Sequence, residues 1–334
     1  MTDRLARALD DLRRKWVPDR RLGVFDVIAS GERLVGRTTS REALADLRLE
    51  GAKAGLAVDV SLLPDASVDD GGMAVVTAAV APLLDEPSIS APRVSEGLHG
   101  EPLALLERRG DWLHVRGADG YVAWTHAGYA TIGTNDWLAD WLARATARSL
   151  GCELEYQGMR LRLPIGARLA LRRDGLVETA DGRLARIYTG MVRLESELHA
   201  EARLIAAPEL ALRWFGGAPY LWGGRTEWGV DCSGLAQAIW AARGVVLPRD
   251  SDQQFVTGEE VRLDASGAGY HAGDLLFFAE ERRVSHVALW AGAGRMVHST
   301  LPRGGVASED LFADHPRLQR LRDQLVGVRR VERR

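Results

Sequence analysis

Two cysteines in 334 residues, Cys152 and Cys232, are too few for a disulfide framework and cannot alone build a tetrahedral cysteine zinc site. His99, His114, His126, His271 and His315 show no metal-ligand spacing and read as surface or core residues. No apolar run approaches the roughly 20 residues that a membrane span requires. The segment Met1–Trp16 is charged throughout and lacks the apolar stretch of roughly 7–15 residues that a signal peptide carries, so a cytoplasmic location is expected. The formal net charge is -3, and the 43 Lys and Arg residues are scattered, which argues against nucleic acid as a partner because phosphate binding needs a concentrated basic face. The closing Arg329–Arg334 run reads as a solvated tail. Gly216-Gly217 and Gly223-Gly224 lack the strand and spacing of a nucleotide-binding fingerprint.

What is present is an ordinary soluble composition, 46% apolar and 27% charged, long enough for several domains. Leu5, Leu9, Leu12 and Trp16 recur at helical spacing, and alternation follows near Val24–Val27. Thr39 or Ser40 suits the cap of a short helix through Leu47, and Val58–Leu63 reads as a strand ended by Pro64. Residues 1–70 are thus expected to form a small α/β segment. Strands are expected at Ala74–Ala81, Pro102–Arg108, Trp112–Arg116 and Tyr121–Trp124, the last three joined by turns at Gly110 and Gly120. A helix over Asn135–Leu150 and alternating segments at 161–163, 169–171 and 185–187 follow. Beyond them, one helix is expected over Glu197–Phe215, another over Ser233–Arg243, and strands at Asp274–Phe278, His286–Trp290 and Arg295–Ser299. A helix followed by an antiparallel sheet describes an α+β domain.

Cys152 has no acid–base neighbour in sequence and reads as a buried structural thiol. Cys232 stands where a helix starts, after the loosening Gly223-Gly224 and Gly229 and between the capping types Asp231 and Ser233. A helix N-terminus lowers a thiol pKa through its unpaired N–H groups, and those groups can also hold an oxyanion. A packing role at the helix start is the alternative. His286 and His298 lie on two strand-like segments joined by Ala291-Gly292-Ala293. With a three-residue loop, Trp290 pairs with Gly294 and the histidines fall opposite each other, Cβ atoms about 4.5–5.5 Å apart. A two- or four-residue loop would separate their faces. A thiol, a base and a partner that orients the base make a nucleophilic triad.

Pro219–Gly224, Asp231–Leu235, Leu247-Pro248-Arg249 with Ser251, Gly273–Leu275, Ser285–Leu289 and Val297–Ser299 resemble, in order, the NlpC-type cell-wall cysteine peptidases. Leu105, Gly110-Asp111-Trp112 and Gly120-Tyr121 with Trp124 resemble the ending of bacterial SH3-like domains. The resemblance implies a multidomain chain: a first SH3-like barrel over 71–130, a second with a helical insertion over 131–195, and an α+β papain-like peptidase domain over 196–334. It makes Cys232 the nucleophile, His286 the base and His298 the orienting residue. Tyr220 then lies near the nucleophile, and Asp231, Ser233 and Ser251 line the substrate cleft; all three also suit purely structural roles as caps or segment starts. This arrangement is most like the γ-D-glutamyl-L-diamino acid endopeptidases. It implies cleavage of peptidoglycan stem peptides such as L-Ala-γ-D-Glu-diamino acid, preferring a free N-terminal L-Ala, by a monomer that recycles cell-wall peptides without metal or organic cofactor. Glu86 or Glu96, with Tyr121, are the candidates to bind the substrate amine. A wall-fragment binding protein, or a thiol amidase or acyltransferase of the same fold, is the rival reading.

Overall fold

A computed structural model describes residues 3–68 and 72–331. The chain divides into two compact units: Met1–Val75 with Leu83–Pro92 and Pro102–Ala139, and Val76–Pro82 with Arg93–Glu101 and Asp140–Arg334.

The first unit begins with α1 (Asp3–Trp16), β1 (Phe25–Ser30), β2 (Arg33–Thr38), α2 (Arg41–Ala54) and β3 (Ala57–Leu62). β1 and β2 form a hairpin, and α2 carries the chain across so that β3 runs parallel to β2. Ser40 is the cap: its hydroxyl accepts from the Ala43 amide. Leu9, Phe25, Leu34 and Leu47 are buried together.

Next come β4 (Met73–Val76), β5 (Val80–Leu84), β6 (Arg93–Leu98), β7 (Pro102–Arg109), β8 (Trp112–Arg116), β9 (Val122–His126) and β10 (Ala130–Gly133). β7, β8 and β9 make the expected meander, turning at Gly110 (φ 58°) and Gly120 (φ 84°). The strand expected over Ala74–Ala81 is interrupted: β4 pairs with β7, while Leu84 of β5 pairs with Trp124 of β9.

The chain continues with α3 (Asn135–Arg144), which stops short of the expected Leu150. Residues Ala147–Ser149 instead form β11, held between two other strands with Ala147 and Ser149 fully buried. Inter-strand hydrogen bonds outweigh a few tenths of a kcal/mol per residue of helix preference. With β12 (Cys152–Tyr156), β13 (Met159–Leu163), β14 (Arg168–Leu171), β15 (Val177–Glu178), β16 (Leu184–Thr189) and β17 (Val192–Leu194) it forms a seven-stranded sheet, order β13-β12-β16-β15-β14-β11-β17. Cys152 is buried in the core of that sheet, and burial pushes its thiol up.

The helix expected over Glu197–Phe215 is two, α4 (Glu195–Arg203) and α5 (Ala207–Phe215). Pro208 sits in the first turn of α5, where its missing N–H costs nothing; it could not continue α4. The remaining elements are β18 (Arg225–Thr226), β19 (Gly229–Val230), α6 (Cys232–Ala242), α7 (Ser251–Gln254), β20 (Glu259–Val261), β21 (Leu275–Glu280), β22 (Arg283–Gly292), β23 (Arg295–Thr300), β24 (Gly305–Asp310), α8 (Pro316–Asp323) and β25 (Leu325–Arg330). They build a six-stranded sheet, order β20-β25-β21-β22-β23-β24. Alternate residues serve its two faces. Leu275, Phe277, Val287, Leu289 and Val297 share a core with Leu235 and Ile239 of α6. Leu276, Phe278, Ala288, Trp290 and Met296 share another with Leu318 of α8. Arg329 and Arg330, expected in a solvated tail, belong to β25 instead. They are drawn in by the Phe255 carbonyl and the Asp274 carboxylate. Residues 332–334 of that tail lie outside the described residues.

Candidate active site

Cys232 is the first residue of α6, as the motif predicts. Asp231 caps the helix, its Oδ1 accepting from the Gly234 amide at 2.7 Å. Gly234 is required by close approach, since a Cβ there would lie 2.2 Å from the Gly224 carbonyl oxygen. The hydroxyl of buried Ser299 on β23 donates to the Val230 carbonyl at 2.6 Å, tying the histidine strand to the segment that leads into Cys232.

Asp231 does more than cap. Arg249 donates to its Oδ1 (3.1 Å) and Oδ2 (2.7 Å), to Ser233 Oγ (2.9 Å) and to Ser95 Oγ (3.1 Å). The Arg249 side chain is fully buried, and the Gly223 amide also donates to Oδ2 at 2.9 Å. Asp231 and Ser233, expected to line the cleft, therefore turn their side chains into a closed network. Ser251 is 7% exposed at the first position of α7, where it begins the segment.

His286 on β22 and His298 on β23 share one sheet face and meet: Nε2 of His286 lies 2.8 Å from Nδ1 of His298. They do so by a route other than the expected register. Trp290 pairs with Met296, not Gly294, and Gly292 with Arg295, so the loop has two residues. A two-residue loop alone would have put the histidines on opposite faces. The register shift between Trp290 and Gly292, a bulge at Ala291, restores the parity and leaves the histidines diagonal neighbours rather than direct ones.

A further member has no signature in the sequence. Glu309 of β24, opposite Met296, places Oε2 2.9 Å from His298 Nε2. Its Oε1 is paired with Arg317 of α8. A carboxylate only accepts, so His298 Nε2 carries the proton donated to Glu309. In a neutral imidazole Nδ1 then accepts, and the proton it accepts is that of His286 Nε2. This leaves the lone pair of His286 on Nδ1, the tautomer a base needs. Burial alone would push Glu309 up, but its hydrogen bonds to His298 and Arg317 bring it down to about 2.

Burial, then the neighbouring His298 and Arg317, lower His286 to about 3, so the base is neutral at rest. Burial first and the Asp231 charge second push the Cys232 thiol up to about 12, against the partial pull of the Val287 amide and Arg249. The helix-start position alone predicts a lowered thiol. Desolvation outweighs the helix end, and the proton rests on sulfur until the base takes it.

Cys232, His286 and His298 line one cavity of about 550 Å³ together with Tyr220. Burial, then the charges of Cys232 and Asp231, push the Tyr220 phenol up to about 12, so it stays a neutral donor. The first amides of α6 can donate toward an oxyanion at the attacked carbon. Among the described residues, no group of three His, Cys, Asp or Glu is arranged to hold a metal ion.

The amine-binding candidates differ in availability. In the second unit Glu96 is 2% exposed, its Oε1 taken by Arg93 at 2.6 Å and its Oε2 by the Arg225 amide at 2.8 Å. Its carboxylate is thereby spent inside the fold. In the first unit Glu86 is exposed with no ion pair among the described residues, and Tyr121 is buried.

Residues 217–329 match the NlpC/P60 family, and residues 83–127 match the bacterial dipeptidyl-peptidase SH3 domain. A gamma-D-glutamyl-L-lysine dipeptidyl-peptidase of Bacillus subtilis (strain 168) is 45% identical over 101 residues, 29% of this chain and 32% of its own length. Dipeptidyl-peptidase 6 of Lysinibacillus sphaericus is 28% identical over 264 residues, covering 73% of this chain and 93% of its own. The fold is shared with an NlpC/P60 family protein of Bacillus cereus ATCC 10987, with TM-score 0.62 and 21% identity over 78% of this chain and 99% of that one. It is shared too with an NlpC/P60 endopeptidase of Photobacterium damselae subsp. piscicida, with TM-score 0.61 and 13% identity over 98% and 91%.

Proposed function

Because the chain carries an NlpC/P60 domain together with a bacterial dipeptidyl-peptidase SH3 domain, we propose that it is a cysteine endopeptidase of peptidoglycan stem peptides. The bond cleaved is the one between γ-D-glutamate and an L-diamino acid. The observation that carries the reading is the hydrogen-bonded chain from Glu309 through His298 to His286, which shares a cavity with the Cys232 thiol.

In this mechanism His286 Nδ1 takes the thiol proton as Cys232 sulfur attacks the γ-glutamyl carbonyl carbon. The oxyanion is held by the first α6 amides and the Tyr220 hydroxyl. The His286 imidazolium then protonates the leaving amine of the diamino acid. A water that gives its proton to His286 hydrolyses the thioester and releases L-Ala-γ-D-Glu. His298 and Glu309 keep the imidazole in the right tautomer and balance its passing charge.

The preference for a free N-terminal L-Ala is part of the proposal. Glu86, exposed and without an ion pair among the described residues, supports it as the candidate carboxylate for the ammonium. The seven-stranded sheet of β11 to β17 is read as the second SH3-like domain. A place in recycling cell-wall peptides in the cytoplasm, by a monomer, completes the reading; a nucleophile that must stay reduced supports it.

The test is mass spectrometry of L-Ala-γ-D-Glu-meso-diaminopimelate incubated with wild type and with Cys232→Ala. Wild type should release L-Ala-γ-D-Glu, and the variant should lose at least about 10⁴-fold in rate. An intact peptide after wild-type incubation would favour binding alone, and an acylated acceptor would favour a transferase.

A further inference from the structure

The cavity beside Cys232 has a wall that the mechanism does not use. Arg317, Arg320, Leu321 and Gln324 line it at spacings i, i+3, i+4 and i+7, so they share one face of α8 and its C-cap. Glu280, at the end of β21, and Phe278 line it as well. Asp231, Ser233 and Ser251 do not, and the first two are closed off by Arg249. Because the peptidase reading gives the ammonium of the acyl half to Glu86, this space is left for the half of the substrate that leaves.

Its charges are unequally engaged. Arg317 is committed to Glu309. Glu280 and Arg320 are both exposed, and neither side chain has a partner among the described residues; Glu280 makes no ion pair even with Arg283, opposite it across the hairpin. The apolar Phe278 and Leu321 line the same space, a fit for a short methylene chain. With Arg317 neutralised by Glu309, the wall offers one free negative charge, Glu280, and one free positive charge, Arg320. A leaving group with one ammonium and one extra carboxylate satisfies it; one with an ammonium alone leaves Arg320 unanswered.

Resting on the peptidase reading above, we propose that this wall is the leaving-group subsite, with Glu280 for the side-chain ammonium and Arg320 for the side-chain carboxylate of a dicarboxylic diamino acid. The enzyme then cuts meso-diaminopimelate peptides in preference to lysine peptides. Arg is suited to this because its planar fork meets a carboxylate in two parallel bonds.

The experiment compares kcat and KM for L-Ala-γ-D-Glu-L-Lys and L-Ala-γ-D-Glu-meso-diaminopimelate with wild type, Arg320→Gln, Arg320→Glu and Glu280→Gln. Wild type should favour the diaminopimelate peptide by about tenfold in kcat/KM, the factor that one charge-assisted contact in a half-open cleft supplies. Arg320→Gln should shrink that ratio to about twofold through KM, Arg320→Glu should turn it toward lysine, and Glu280→Gln should raise KM for both peptides. Equal or better cleavage of the lysine peptide by wild type, or an unchanged ratio in Arg320→Gln, overturns the subsite while the peptidase reading stands. Cleavage of neither peptide by wild type overturns both.

Discussion

Two arginine–carboxylate pairs flank Cys232, and they are built from the same chemistry to different ends. Arg249 grips Asp231 inside a closed network of amides and hydroxyls, with a fully buried guanidinium. Arg317 grips Glu309, but that chain runs on through His298 to His286, whose ring opens on the cavity. The first pair ends in groups that cannot change protonation state, so it holds a position. The second ends in an imidazole, so it sets where a proton rests. A buried pair is a poor source of net stability, and both make sense chiefly as devices of geometry.

The largest effect should come from breaking the closed pair. Arg249→Met leaves the Asp231 charge buried alone and should cost on the order of 3–5 kcal/mol in urea unfolding. Asp231→Asn combined with Arg249→Met removes both charges and should recover most of that loss. A double variant as unstable as the single one would show that Arg249 acts through packing and not through charge.

Breaking the open pair should act on rate more than on fold. In Glu309→Gln the amide can donate to His298 Nε2, which reverses both tautomers and turns His286 Nδ1 into a donor. A fall of about 100-fold in kcat/KM with KM nearly constant is expected, with partial rescue by Glu309→Asp. Stability should follow a defined pH course. Glu309 is depressed from its ordinary 4.5 to about 2, so its contribution is complete above pH 4.5 and is lost as pH falls through 2. A wild-type minus Glu309→Gln difference that stays constant over that window would contradict the assignment.

The smallest effect sharpens the contrast at the sulfur itself. With the thiol pushed up to about 12 and His286 held neutral down to about 3, iodoacetamide alkylation of Cys232 should still be rising at pH 9. The slope expected is about tenfold per pH unit, tracking the thiolate fraction. A plateau already reached by pH 7 would mean that a thiolate–imidazolium pair exists before substrate arrives.

How far the site was legible depended on the range of the interaction that made it. The cap before Cys232, the turns at Gly110 and Gly120, and the period of β21 to β23 are local, and local patterns carry them. The parity of His286 and His298 came out as expected only because two departures cancelled: a shorter loop and the bulge at Ala291. Residues Ala147–Ser149 continued a helical pattern and became a strand because partners far along the chain were waiting on both sides. Glu309 stands 11 residues beyond His298 with no motif around it, and Arg249 reads as a motif residue without showing what it grips.

By itself the sequence determined the helix-start cysteine, the alternation that puts two histidines on strands, and the order of the motifs, because each is a matter of neighbours along the chain. The tertiary structure alone decided which carboxylate completes the relay, which acids are spent internally, and that the resting sulfur keeps its proton. Those outcomes rest on burial and on charges brought together from distant segments, and both exist only once the chain has packed.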